Sequence, residues 1–543
     1  MSMRNFWLFV CVGLMFVSCF KGKEADLIIH NAQIFSFNLH GDVFEAMAIK
    51  DGKILELGSE REILNKYRGK SINAEKKEIY PGFYDAHAHI FGLAEKKLSC
   101  DLTGSRSLQE VINRLERFDA QYNPKVLVGK GWDQSLWVNS ELPTNELLNQ
   151  TFPDKSVLLF RVDGHAMLAN QFALNKANVT ANTTILGGEV QVDENGITGI
   201  LLDNAMDFLS SLIPAKSKNS LKKALIECQE DLLQFGITHI HEAGITLDQL
   251  EVLQELESEG KLKITIYAML FPEKKELEFA KSKGILRTPH LHVRSFKIVA
   301  DGALGSRGAC LTSPYHDMAH SHGFLLKSMN EIEAIANVAK EIGYQLNVHC
   351  IGDSTNRSVL KLMAKVMHDV PDHRWRIEHA QIVHPDDIQL FKDARVIPSV
   401  QPTHAVSDMR FVQKRLGTER EKWAYAYKSL LNTNGIIALG TDFPVEDINP
   451  FHTIEAAVNR KNPIGDPQGG YLKKEGLTLD ECLKGMTLWA AIASFEENEQ
   501  GSLEPYKDAT FVILHNPLRD VENYTMNYAK QVYLRGQRVY QFD

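Results

Sequence analysis

One unit recurs along the middle of the chain: an apolar run, most often stopped abruptly at His, Asp, Glu or Lys. Between about residues 80 and 445 it occurs eight times, as GFYDAHAH, GITHIHEAG, KITIYAML, SFKIVADG, YQLNVHCIGD, RWRIEHAQ, RVIPSVQP and GIIALGTDFP. Helical patterns such as TLDQLEVLQELESEG, EIEAIANVAKEIG and STNRSVLKLMAKVM separate most of the later copies. Near-continuous apolar runs are what parallel strands covered on both faces require. Eight strand–helix units predict an α/β fold, a (β/α)8 TIM barrel, whose chemistry gathers at the C-terminal ends of the strands. The polar stops fall at those ends.

Two features lie outside the repeat. Residues 25–80 read as short β segments (DLIIHNAQIFSF, FEAMAIKDGKILELG, KKEIYPG), and 499–543 have the same texture (DATFVILH, KQVYLRGQRVYQF). Together they predict a small β-sandwich domain built from both chain ends. The barrel then occupies 81–498. Its first and second strands are separated by well over a hundred residues, and so long a connection must carry its own structure. An inserted subdomain over about 120–215, covering the barrel mouth, is expected.

The chain opens MSMRNFWLFVCVGLMFVSCFKGK. Arg4 and the apolar stretch Phe6 to Val17 are too short to span a membrane and read as an export signal. Ser18–Cys19 resembles a lipoprotein cleavage site, with residues 1–19 as signal and Cys19 as the lipidated anchor. That predicts an exported protein of the bacterial cell envelope. The other cysteines outside the signal are scattered, with no CxxC pair, so neither a thiolate zinc site nor a disulfide framework is indicated. Sixty basic against sixty-nine acidic residues leave a net charge of −9, with no pull toward nucleic acid.

Twenty histidines are present, and what matters is where they fall. In Asp85-Ala86-His87-Ala88-His89 the two imidazoles at i and i+2 share one face of a strand and can hold one ion together. Alone this spacing is a weak signal. The context strengthens it: His349 ends the fifth run, His379 the sixth and Asp442 the eighth, and Lys297 lies in the fourth. Strand-end histidines with an aspartate suit zinc, iron or manganese. Lys297, an ammonium in an apolar strand, is costly to bury unpaired. Pairing with an acid such as Asp301 is one way to meet that cost.

This order of residues resembles the amidohydrolase superfamily, and within it amidohydrolase family 3, the YtcJ-like proteins. The resemblance covers nearly all of the mature chain and rests on PGFYDAHAH, GKGWDQSLW, RVDGHAMLAN, FKIVADGALGSRGA, NVHCIGD, RIEHAQ, VQPTH and GTDFPVEDINPF. It implies that His87 and His89 bind a first divalent ion, most simply zinc, and that His349 and His379 bind a second. Asp442 would touch the first ion and act as general base and acid. Lys297, carboxylated, would bridge the two. The implied reaction is hydrolysis of an amide or formamide-type C–N bond in a small molecule.

His165, in RVDGHAMLAN, is expected either to reach over the mouth to the substrate carbonyl or to stabilise a turn beside Asp163, and Trp132 and Asp133 to line the same pocket, unless Trp132 is a buried structural tryptophan. Arg307 is expected either to bind a substrate carboxylate or to pair with the insertion. Glu242 and His404 are expected as wall residues, and His239 and His241 as barrel packing. Two rival readings stand beside hydrolysis of C–N bonds. One is other chemistry on the same ions, such as ester hydrolysis, isomerisation or hydration. The other is a lipid-anchored binding protein without catalysis, against which the intact ligand set argues.

Overall fold

The structure, a computed structural model, describes residues 22–519 and 521–542. The signal segment and Cys19 lie outside the described residues.

Eight parallel strands follow in chain order: β1 (Phe83–Ala88), β2 (Ile237–Ile245), β3 (Thr265–Leu270), β4 (Leu291–Val299), β5 (Gln345–Cys350), β6 (Arg376–His379), β7 (Ile397–Val400) and β8 (Ala438–Leu439). They coincide with the eight runs read from the sequence, and the expected (β/α)8 barrel is borne out. Every residue of β1 and of β5 is buried, which is why these strands read as continuous apolar runs and not as alternating ones. The helices are equally explicable. In Met329–Ile342, Ser328 and Glu331 form a capping box, Gly343 ends the helix in the left-handed region, and Ile332, Ala336 and Ala339 bury one face. Loss of such a cap costs about 1 kcal/mol.

No ladder joins β8 to β1. The seam is closed just beyond the strand ends. The Asp442 N–H donates to the His87 carbonyl (2.8 Å), and the His89 N–H to the Phe443 carbonyl (2.9 Å). The Asp85 carboxylate accepts from the Thr441 N–H (3.0 Å) and hydroxyl (2.6 Å). Gly440 is required here, since a Cβ would stand 2.5 Å from the His87 nitrogen.

Between β1 and β2 lies a six-stranded sheet, in the order Gly188–Asp193, Gly196–Asp203, Ala166–Ala169, Ser156–Arg161, Val126–Trp132, Cys100–Asp101. The insertion thus starts some twenty residues before the expected position. The helix Leu108–Tyr122 turns Val111, Ile112 and Leu115 onto Trp132, Val157 and Leu159 of this sheet, so it belongs to the insertion's core.

The chain ends build two further sheets. One has four strands from residues 23–73, and the other joins Gln33–Phe35, Val43–Phe44 and Glu78–Pro81 to Phe511–Leu514, Ala529–Leu534 and Gln537–Gln541. Leu27, Ile29, Met47 and Ile79 meet Phe511, Ile513 and Tyr533 in their shared core. The five described cysteines are unpaired. Among the described residues no helix is long and apolar enough to cross a membrane.

Candidate metal centre

At the C-terminal ends of the strands, the Asp442 carboxylate stands between two pairs of imidazoles. Its Oδ1 is 3.1 Å from His89 Nε2 and 3.5 Å from His87 Nε2. Its Oδ2 is 3.6 Å from His404 Nε2 and 4.0 Å from His379 Nδ1. Two groups of ligand atoms close enough to share an ion therefore meet at this residue: His87, His89 and Asp442, and His379, His404 and Asp442. Asp442 (φ 64°) and His379 (φ 74°) both hold left-handed backbone. For residues other than glycine that costs about 1–3 kcal/mol each, strain of the kind that collects at functional sites.

Supporting groups fix how the imidazoles face. His87 Nδ1 is 2.5 Å from Glu378 Oε2, and His379 Nδ1 is 2.7 Å from Gln401 Oε1. A neutral imidazole that donates Nδ1–H to such an acceptor keeps a lone pair on Nε2. His349 Nε2, His404 Nε2 and Asp442 Oδ1 are buried without a hydrogen-bond partner. Buried polar atoms are ordinarily paired. Imidazole nitrogens and a carboxylate oxygen left this way form a donor set that fits a divalent ion such as zinc. Burial, reinforced by the neighbouring Lys297, holds His87 well below the usual imidazole range, and burial with His165 and Lys297 does the same for His349. Burial works against charge on Asp442, yet His87 and His89 keep its carboxyl well below the usual carboxylate range.

Lys297 is buried, with Nζ 3.2 Å from His87 Nε2 and no carboxylate oxygen within 4.0 Å among the described residues. Burial lowers its pKa. The alternative pairing with Asp301 is absent. Asp301 is instead taken up by the N–H groups of Cys310, Ile351 and Gly352 and the hydroxyl of Thr355. His349 Nε2 lies 3.7 Å from Asp301 Oδ1, and its ring 4.6 Å from that of His379.

The insertion brings His165 to this group, with its ring centre 5.2 Å from that of His349. Its Nδ1 is 2.5 Å from Asp203 Oδ1. Burial opposes charge on His165, but the Asp203 carboxylate outweighs it and the pKa is pushed up to about 9.

Trp132 takes the buried structural place left open for it, while Asp133 and Arg307 are engaged by protein partners. Trp132 is 1% exposed and donates Nε1–H to the Leu159 carbonyl (2.8 Å) inside the insertion's core, so it lines no pocket. Asp133 binds Ser135 and pairs with Arg161 (3.0 Å) and Arg410 (3.3 Å), which leaves it no free oxygen for a ligand. Arg307 pairs with Asp317 (2.9 Å), which Arg415 also holds, so its guanidinium is engaged and not by the insertion. His239 stacks on Tyr84 and His241 bonds to Arg376, both within the barrel.

Sequence reasoning missed Glu378, Gln401 and Asp203. Glu378 stood in plain view beside His379 in RIEH, on the alternate face of the strand. Gln401 precedes the run that holds His404, and His404 itself approaches Asp442 as closely as His379 does. Asp203 carried no local signal.

A barrel that gathers histidines and an aspartate at the C-terminal ends of its strands defines the metal-dependent hydrolase class. The chain belongs to the amidohydrolase family, whose profile matches residues 70–540. It is therefore a hydrolase of the kind that acts on carbon–nitrogen bonds. It is 32% identical to Protein LONG AFTER FAR-RED 3 of Arabidopsis thaliana over 91% of this chain and 88% of that one. It is 25% identical to the N-substituted formamide deformylase of Arthrobacter pascens over 90% and 93%. Among solved structures, an uncharacterized metal-dependent hydrolase from Pyrococcus horikoshii superposes with a TM-score of 0.74 at 28% identity, covering 91% of this chain and 98% of that chain.

Proposed function

We propose that the protein hydrolyses an amide or formamide-type C–N bond of a small molecule. The observation that carries this reading is the placement of Asp442, one oxygen toward His87 and His89 and the other toward His379 and His404. One divalent ion, most simply zinc, would be held by His87, His89 and Asp442, and a second by His349 and His379 with His404 beside them. A bound ion supplies an acidified water and polarises the carbonyl. Lys297, if carboxylated by carbon dioxide, would serve both positions, and burial, which disfavours its charged form, aids that reaction.

The chain's own groups account for the proton. Asp442, anionic in its ring of imidazoles, accepts a proton from the attacking water and returns it to the leaving nitrogen. An amine leaves poorly unless protonated, so one carboxylate serving first as base and then as acid suffices. His165 donates Nε2–H to the carbonyl oxygen as negative charge develops there. Glu378 and Gln401 hold the tautomers of His87 and His379. The likeness to a formamide deformylase supports the choice of bond.

The test is a panel of N-acyl and N-formyl amines with zinc-loaded protein, read as amine released. Turnover of at least one member, lost in Asp442→Asn, is expected. Esters turned over in preference to every amide would overturn the assignment of the bond.

A further inference from the structure

Asp203 has a backbone conformation (φ 48°, ψ −123°) that L residues rarely adopt. It ends the insertion strand Gly196–Asp203, and its N–H donates to the His165 carbonyl (3.1 Å). Its side chain is wholly buried while that of His165 is 18% exposed, so the contact runs from the protein interior toward the mouth. The carboxylate is gripped on its other side by the loop after β4. A Cβ on Gly302 would stand 2.5 Å from Asp203 Oδ2, and one on Gly308 2.6 Å. The glycines of DGALGSRGA thus form a socket that only bare backbone leaves open. Asp203 Oδ2 has no hydrogen-bond partner in that socket. A strained backbone, a glycine socket and an unpaired buried oxygen are three costs borne at one residue. The one strong contact they secure is Asp203 Oδ1 to His165 Nδ1, at 2.5 Å.

We infer that Asp203 is the positioning residue for His165, with Gly302 and Gly308 as its socket in the barrel. Accepting Nδ1–H fixes the imidazole so that Nε2 is the atom presented to the substrate. The insertion then delivers His165 to the metal centre only when Asp203 is seated on the β4 loop. This rests on the role given to His165 above.

The test uses the zinc-loaded full chain, the best N-acyl or N-formyl amine from the panel, and four variants: His165→Gln, Asp203→Asn, the double variant and Gly302→Ala. His165→Gln and Asp203→Asn are each expected to lower kcat about 10–100-fold with KM held, the size typical of losing a group that orients a histidine. The double variant should fall no further than either single one. A far-downfield Nδ1 proton resonance, present in the parent protein, should vanish in Asp203→Asn with bound zinc unchanged. Gly302→Ala, which displaces the carboxylate by contact, should reproduce the Asp203→Asn kinetics and serves if that variant does not fold. Unchanged kcat in His165→Gln would overturn the role given to His165. Loss in His165→Gln with full kcat in Asp203→Asn or Gly302→Ala would overturn the present inference alone. Loss of zinc alongside kcat in the Asp203 variant would overturn it in favour of a purely structural part.

Discussion

His87 on β1 and Glu378 on β6 meet inside the barrel with Nδ1 of one 2.5 Å from Oε2 of the other, and neither side chain has any exposure. A carboxylate so placed raises the basicity of the opposite ring nitrogen and holds the ring still. Glu378→Gln keeps the shape and removes the charge. It is expected to weaken zinc binding about 10–100-fold, read by competition with a chromogenic chelator. Unchanged affinity would mean that His87 is oriented by packing alone.

Asp442→Asn should retain bound metal, since the histidines remain, and lose turnover by about 100-fold or more, the usual contribution of a positioned acid–base group. Metal content and kcat are measured on the same preparation. Full activity in this variant would remove Asp442 from the chemistry.

Stripping the ion should lower the melting temperature as well as abolish turnover, because the proposed ligands come from β1, β5, β6 and the loop after β8, an arrangement that exists only in the folded chain. Zinc at about 100 times its Kd is expected to return about 2.7 kcal/mol of stability. Calorimetry with and without chelator checks this.

Trp132→Phe leaves the Leu159 carbonyl without its indole donor inside the insertion's core. It should cost about 1–3 kcal/mol of stability while KM stays at the parent value. A raised KM at parental stability would put Trp132 back in the substrate pocket.

The His165–Asp203 pair makes stability depend on pH. His165 is raised in the folded chain from 6.5 to about 9, so the stability it contributes is fully present below pH 6.5. It is lost as pH rises through about 9. Between pH 6 and 9.5 the parent protein should therefore lose more melting temperature than His165→Gln does. Equal losses would show that the imidazole is not held charged.

The strand-end residues were legible because a barrel forces them to be. A polar side chain that closes an apolar run has nowhere to point but the mouth, and His87, His349, His379 and Asp442 all obey this. The supporting residues were less so. Glu378 pairs with a residue 291 positions away and Asp203 with one 38 away, and spacing along the chain carries no trace of either contact. Trp132 was ambiguous for a related reason. It too ends an apolar run, but that strand belongs to the insertion, where the run's end is covered by the helix Leu108–Tyr122 and not open to solvent. Local pattern gives a strand's end; only the tertiary fold gives what lies above it.

The open seam between β8 and β1 has a consequence for how the enzyme comes into being. Asp85 and Thr441 are 356 residues apart, and the bonds that join them lie beside those that set Asp442 against His87 and His89. A nascent or truncated chain lacking its last barrel strand has its early histidines but no carboxylate to face them. On the role proposed for Asp442, catalytic competence waits until the ring shuts. A metal held as proposed at this junction would rivet the oldest and the newest parts of the barrel together.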